Sequence, residues 1–243
     1  MPGAGAIGPQ VAATIGLHAS ASTWVFNVVR ELMIAAVGED QVMALYADEV
    51  SELPDEPTRA GRHLVIKSHH GSAPLDAWLA EAQPRIILSI RDPRDACISM
   101  SERFKAPIGS TAQWLANDCD RLLRLASQPH PLLRFEDRFF ENDRLPQRLA
   151  DHLGLRLAPA SIEAIFERYR SAAVQSFAAR LKDLPPERLM SFGPPHLVDR
   201  VTHIHRNHIG DARSGKWREL PDPLQHELTR LFSVFLERFG YSP

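Results

Sequence analysis

The 243-residue sequence predicts an α/β fold in a single domain, with a central, mainly parallel β-sheet flanked by helices. Three observations support this. Short apolar runs of strand length alternate with amphipathic stretches of helical period, the pattern that pairs parallel strands through right-handed crossovers. One run, Arg-Ile-Ile-Leu-Ser-Ile at 85–90, is apolar enough to be covered on both faces, as strands of a parallel sheet are. The polar groups best suited to chemistry, at 18–23, 67–70 and 91, each follow an apolar run directly. Parallel sheets bind ligands beyond the carboxyl ends of their strands, so these groups should gather at one edge.

Taken in order, residues 1–10 (MPGAGAIGPQ) have no basic n-region and no long apolar core, and read as a flexible leader rather than a signal peptide. The domain is expected over 11–243. Residues 11–17 have the length of a buried strand. After six mostly small residues, Val25, Phe26, Val28, Val29, Leu32 and Met33 crowd one side at helical spacing. A second strand is expected at 41–47, a Pro-containing loop at 48–62 and a third strand at 63–68. A short helix at 75–83 ends at the breaker Pro84. The strand at 85–90 leads to Asp92-Pro93, an N-cap with Pro at the first helical position, opening a helix to about residue 103. Further helices are expected at 110–127, 144–153 and 159–170, with another reaching toward residue 181, and a fifth strand at 131–135. The Pro-rich segment 185–195 reads as a surface loop, 201–217 as a polar segment rich in His and Gly, and 224–239 as an amphipathic closing helix.

Composition narrows the function classes. Apolar residues make up 44% and charged residues 24%, ordinary for a soluble globular chain. The net charge of −2 offers no bulk basic surface for nucleic acid. The longest apolar stretch, 24–37, is too short and too often interrupted by polar residues to span a membrane. Two cysteines, Cys97 and Cys119, fall in expected helices without metal-ligand spacing, which suits a reducing, cytoplasmic setting. Oligomeric state leaves no trace in the sequence. Lysines are scarce: only Lys67, Lys105, Lys182 and Lys216 occur.

The head of the chain, strand then small-residue loop then helix, can close backbone amides and a helix N-terminus on a phosphate. It can equally be an ordinary turn with Ser and Thr capping the helix. No Lys lies between Val11 and Leu32, so it is not the G-x-x-x-x-G-K-[ST] loop of nucleoside triphosphate enzymes. Lys67 and His69 fall on the same side of an extended strand end. His69 suits general base work near neutrality, with His70 as rival, and Lys67 can neutralise charge on a leaving phosphate. Arg91 offers a fixed fork of donors for a phosphate, or a salt bridge to Asp95. Ser99, eight residues on, either bonds its own helix or reaches the same ligand. His203, His205 and His208 could suggest a metal, but their spacing matches no zinc signature and no metal is expected.

Together these motifs resemble the sulfotransferases that use 3′-phosphoadenosine-5′-phosphosulfate (PAPS) and release adenosine 3′,5′-bisphosphate (PAP). HASASTW at 18–24 looks like the family's 5′-phosphosulfate loop, and Lys67-Ser68-His69 like its Lys-Thr-His. Arg91 with Ser99 resembles its 3′-phosphate motif, Leu133-Arg-Phe-Glu-Asp137 its Leu-x-Tyr-Glu-Asp, and Gly215-Lys216-Trp217 its C-terminal Gly-x-Trp.

The resemblance implies a P-loop NTPase-like sulfotransferase fold and in-line sulfuryl transfer to a hydroxyl or amine of a small-molecule acceptor. His69 and Lys67 would be catalytic. Ser20, Ala21, Ser22, Thr23, Trp24, Arg91, Ser99, Phe135, Arg213, Gly215 and Lys216 would bind the nucleotide. Trp24 would stack on adenine or else serve as a core aromatic. Phe135 replaces a Tyr, and Glu136 with Asp137 is expected to cap the following segment. Ala19 stands where most members carry Lys or Arg, so Lys67, His18 or an incoming Arg must compensate. A P-loop-type small-molecule kinase and a non-catalytic adenosine bisphosphate-binding module are the alternatives. The acceptor pocket is expected from 42–61, 108–114 and the helices after Pro159.

Overall fold

A computed structural model describes residues 9–191, 197–206 and 210–242. Its five-stranded sheet comprises β1 (Val11–Gly16), β2 (Val42–Tyr46), β3 (His63–Ser68), β4 (Arg85–Ile90) and β5 (Leu132–Arg134). All pairings are parallel, in the order β2-β3-β1-β4-β5. β1 is central: Thr14 lies opposite Lys67 of β3 on one side and Ile87 of β4 on the other. The loops leaving β1, β3 and β4 therefore emerge side by side.

Helix α1 (Ser22–Val37) follows β1, with the one-turn α2 (Glu56–Arg59) and α3 (Ala73–Ala82) on either side of β3. Ser72 caps α3 by accepting from the Leu75 amide at 3.4 Å. α4 (Pro93–Phe104) opens as expected, Asp92 accepting from the Arg94 amide at 3.0 Å with Pro93 in the first turn. Then come α5 (Ile108–Leu125), α6 (Leu145–His152), α7 (Pro159–Tyr169), α8 (Ser171–Ala179), α9 (Asp222–Leu231) and α10 (Ser233–Phe239). The core forms as two apolar clusters. Val28, Leu32 and Met33 of α1 join Leu149, Ile165 and Phe166 in one, and Leu115 and Leu122 of α5 join Ile15, Ile66, Leu88 and Phe235 in the other.

Three expectations are corrected. The closing helix is broken at Phe232 into α9 and α10. Within the Pro-rich segment, Leu189–Ser191 forms β6, which pairs antiparallel with β7 (Leu197–Asp199). These strands are too short to show alternation in sequence. Neither Glu136 nor Asp137 caps the turn that follows, Phe139–Glu141, which has no side-chain cap; Glu136 accepts from the Asp92 amide at 2.9 Å and the Tyr241 hydroxyl at 3.0 Å, tying α4 and residue 241 to β5.

The loop after β3 is locked from both sides. One oxygen of Asp48 accepts from the Ser68 hydroxyl at 2.7 Å, the His69 amide at 2.8 Å and the Gly71 amide at 3.2 Å. Arg121, fully buried on α5, donates to the Ser68 hydroxyl at 2.6 Å and the His69 carbonyl at 3.1 Å and pairs with Asp76. Gly71 has φ +51°, and a Cβ there would lie 2.0 Å from the Arg121 guanidinium carbon. Gly71→Ala combines left-handed strain with overpacking against a pinned side chain. It should cost about 2–4 kcal/mol of stability, read by urea unfolding.

Candidate active site

The three strand ends open on a cavity of about 1290 Å³ lined by His18, Ala19, Ala21, Ser22, Thr23, Lys67, His69, Arg91 and Ser99. The head loop is tight because β1 and β4 run close. A Cβ on Gly16 would lie 2.2 Å from the Ser89 hydroxyl and 2.8 Å from the Ser22 Cβ. Ala19 and Ala21 adopt left-handed φ values of 61° and 62°, which turns the chain sharply into α1. Ala21 is the N-cap and has no side chain to cap with, so the first helix amides face the cavity uncapped. Ser20 is placed differently from its expected role. Its hydroxyl is fully buried, donates to the Leu17 carbonyl at 2.6 Å and meets the Ser89 hydroxyl at 2.9 Å, so it braces the loop from behind.

Arg91 and Ser99 meet. The Arg91 guanidinium donates to the Ser99 hydroxyl at 3.2 Å, the Ala19 carbonyl at 3.1 Å and the Arg213 carbonyl at 2.9 Å. It lies over the Phe135 ring, 4.1 Å from the centroid, and its buried Nε has no partner among the described residues. Asp95 does not take Arg91: its oxygens accept from the Gly215 amide at 2.5 Å and the Trp217 amide at 3.0 Å, holding the C-terminal loop against α4. Gly215, at φ +83°, makes that turn.

The side chain of Arg213 is not brought to the cavity. It is exposed and pairs with Asp211 and Glu219, contributing only its carbonyl to Arg91. Lys216 does line the cavity, paired with Glu102 at 3.0 Å and Asp211 at 3.2 Å. Arg103 also lines it, one helical turn beyond Ser99 on α4. Burial and the nearby Arg91 push its guanidinium down to about 10. The i,i+4 spacing of Ser99 and Arg103 was the available signal for it.

Trp24 serves the core and the cavity wall together. It is 7% exposed, its indole N–H donates to the Tyr169 carbonyl at 3.0 Å, and its ring meets Phe139 edge-on. Phe140, Tyr169 and Val174 extend the same wall, Tyr46 stands beside His69, and Trp114 stacks against His18. Segment 197–206 is fastened to α1 through Asn27, which donates to the Thr202 carbonyl at 2.7 Å, and Arg30, which donates to the Val201 carbonyl at 2.6 Å.

His69 is 4% exposed, and its Nδ1 lies 2.5 Å from the Gly16 carbonyl. A carbonyl only accepts, so Nδ1 carries the proton and Nε2 keeps a lone pair. Burial, with His18 and Lys67 nearby, pushes His69 well below the usual histidine range, so the ring is neutral. Lys67 is 7% exposed, with its Nζ 5.6 Å from the Tyr46 ring centroid. Burial and Arg103 push its ammonium down to about 8, and among the described residues it has no salt-bridge partner.

His70 does not line the cavity. Its Nδ1 sits 2.6 Å from Asp118, outside hydrogen-bond alignment, and that carboxylate raises its pKa. Asp118 was missed in the sequence because it occupies an apolar position of α5, between Leu115 and Leu122. His203 and His205 line the cavity, while His208 lies outside the described residues. Among the described residues, His18, His69 and Asp118 have metal-like spacing. The rings of His18 and His69 are stacked, with centroids 3.8 Å apart.

No protein-family model and no curated protein matches the sequence. Solved structures do. A mouse sulfotransferase, SULT7A1, complexed with PAP matches with a TM-score of 0.65 at 15% identity, over 94% of this chain and 85% of that one. The fold is that of the sulfotransferases. A retinol dehydratase with retinol and PAP has a TM-score of 0.59 at 13% identity, covering 95% of this chain and 82% of the other. The same enzyme name with androsterone and PAP gives 0.62 at 11%, with 95% and 82% covered. The likeness is one of fold. No helix among the described residues is long and apolar enough to cross a membrane.

Proposed function

We propose that this chain is a sulfotransferase that moves a sulfuryl group from PAPS to a hydroxyl or amine of a small acceptor. The observation that carries this reading is the convergence of Arg91–Ser99, the uncapped start of α1 and the Lys67–His69 pair on one cavity. The residues fit a bisphosphate nucleotide. Among the described residues Arg91 keeps a buried, unpartnered Nε and Lys67 has no salt-bridge carboxylate, and the N-cap Ala21 leaves the start of α1 without a side-chain cap.

PAPS, when bound, supplies the sulfuryl group and leaves as PAP. Arg91 and Ser99 would hold the 3′-phosphate, with Arg103 as the further cation in place of Arg213. The amides of Ala21, Ser22 and Thr23 and the hydroxyls of Ser22 and Thr23 would hold the 5′ end, with Phe135 and Trp24 against the base. His69 is pre-set for proton acceptance, because Gly16 fixes its tautomer and burial keeps Nε2 unprotonated. Lys67 holds its charge at neutral pH and steadies the negative charge that develops on the departing phosphate. The apolar wall from Tyr46 to Trp114 faces the acceptor.

Calorimetry with PAP against ATP and Mg²⁺, followed by turnover with labelled PAPS over an acceptor panel, tests the proposal. PAP binding with turnover supports it. Preference for ATP and Mg²⁺ would favour a kinase, and PAP binding without turnover a binding module. Arg91→Ala should weaken PAP binding by about 2 kcal/mol or more, and Ser99→Ala by about 1 kcal/mol. Unchanged affinity in Arg91→Ala would remove the 3′-phosphate assignment.

A further inference from the structure

His203 stands in the turn of segment 197–206 with a left-handed φ of 54°, a conformation uncommon for a residue with a Cβ. The turn is over-determined. Asp199, with no exposure, accepts from the Thr202 amide at 3.2 Å and hydroxyl at 2.6 Å and pairs with Arg188. The His203 amide donates to the Asp199 carbonyl at 2.8 Å, and the Asp199 amide to the Ile204 carbonyl at 2.9 Å. Asn27 and Arg30 fasten the carbonyls of Thr202 and Val201 to α1. A strained backbone pinned from several sides is the kind that functional sites keep. The ring of His203 lines the cavity, and its buried Nε2 has no hydrogen-bond partner among the described residues. Its centroid is 6.2 Å from that of Tyr46, whose own ring is 5.9 Å from His69.

We propose that His203 binds the acceptor: its imidazole hydrogen-bonds a second hydroxyl of the molecule whose first hydroxyl meets His69. The inference rests on the sulfotransferase reading for the reaction and adds the class of acceptor, a compact diol or diphenol lying against the Tyr46 ring. A hydroxyl both donates and accepts, so it completes the imidazole in either tautomer. Burial and the nearby Lys67 push His203 down to about 3, so the ring is neutral and its partner need not carry charge. A site built to hydrogen-bond a substrate hydroxyl rejects the analogue that lacks it, because the protein's own polar group is then left unpaired.

Turnover with labelled PAPS is to be measured on acceptor pairs that differ only in a methyl for the second hydroxyl. Para-(hydroxymethyl)phenol against para-ethylphenol is one such pair, and straight-chain diols against the matching mono-alcohols supply others. The wild type should prefer the hydroxyl member by about tenfold or more in kcat/KM. His203→Phe keeps an aromatic ring beside Tyr46 and removes both nitrogens. It should abolish the preference, chiefly by raising KM for the hydroxyl member, while PAP affinity by calorimetry stays that of the wild type. His203→Gly suits the left-handed backbone and removes the ring outright, and should lose the preference in the same way.

A wild type that turns over both members of every pair alike, or favours the methyl member, would overturn the proposal while leaving the sulfotransferase reading intact. So would a preference that survives in either variant. Equal loss of turnover on both members, with earlier thermal unfolding, would also overturn it, since packing alone gives that result. A wild type that ignores PAP, or binds it without sulfating any acceptor, would overturn both.

Discussion

His69→Ala is expected to lower turnover by about 100-fold or more while PAP affinity stays near that of the wild type. The expectation follows from geometry before titration. Nδ1 is committed to the Gly16 carbonyl, so the nitrogen left to accept a proton is Nε2, and the ring lines the cavity. General base loss at a positioned histidine is worth about 10²–10⁴ in rate. The neighbouring histidine supplies the control. His70 points at Asp118, away from the cavity wall, and its raised pKa keeps it charged over more of the range, so it is the poorer base. His70→Ala should cost much less. If His70→Ala proves the more damaging substitution, the base moves to that residue, and the β3 loop must shift during turnover. A His69→Ala variant that loses PAP binding instead would make the ring a prop for the head loop through Gly16.

How much of this site is legible in sequence depends on which contacts are local. β3 and β4 begin and end where the apolar runs do, because a strand buried on both faces writes itself as a continuous apolar run. The gathering of His18, Lys67 and Arg91 follows from parallel strand order alone. Groups brought in from elsewhere are not legible in the same way. Asp118 and Arg121 sit at apolar positions of α5, where side-chain period assigns them to the core but cannot name the β3 loop as partner. Asp48 becomes the anchor of Lys67–Gly71 only because β2 and β3 pair. Its carboxyl, though disfavoured by burial, is held at about 2 by the Tyr46 hydroxyl, the His69 amide and Ser68. Arg213 misled for the converse reason. Its place in the motif is kept, but Asp211 and Glu219 lie within six residues and claim the side chain. The kink at Phe232 is equally silent, since the apolar period runs through it.

Lys67→Met is expected to reduce turnover by at least about 10²–10³-fold while leaving the protein as stable or more so. Lys67 is the one lysine that the sequence places near the head loop, and Ala19 offers no second amine. The cation is buried, 5.6 Å from the Tyr46 ring centroid and without a carboxylate partner among the described residues. Such a charge is costly to the fold and is held ready for an anion. The sign of its effect on stability follows from its protons. Burial and Arg103 bring its pKa from 10.5 to about 8, so between those values the unfolded chain binds more protons than the folded one. Stability therefore gains with rising pH across that window, and below about pH 8 the charged group opposes folding. Methionine keeps the length and apolar stem but removes the charge, so thermal unfolding of Lys67→Met at neutral pH should occur at or above the wild-type temperature. Its wild-type gain between about pH 8 and about pH 10.5 should disappear. Loss of activity with undiminished stability marks a residue kept for chemistry. If Lys67→Met instead unfolds earlier than wild type, the ammonium has a structural partner in the resting protein. If it is stable and still turns over, Arg103 carries the leaving-group charge.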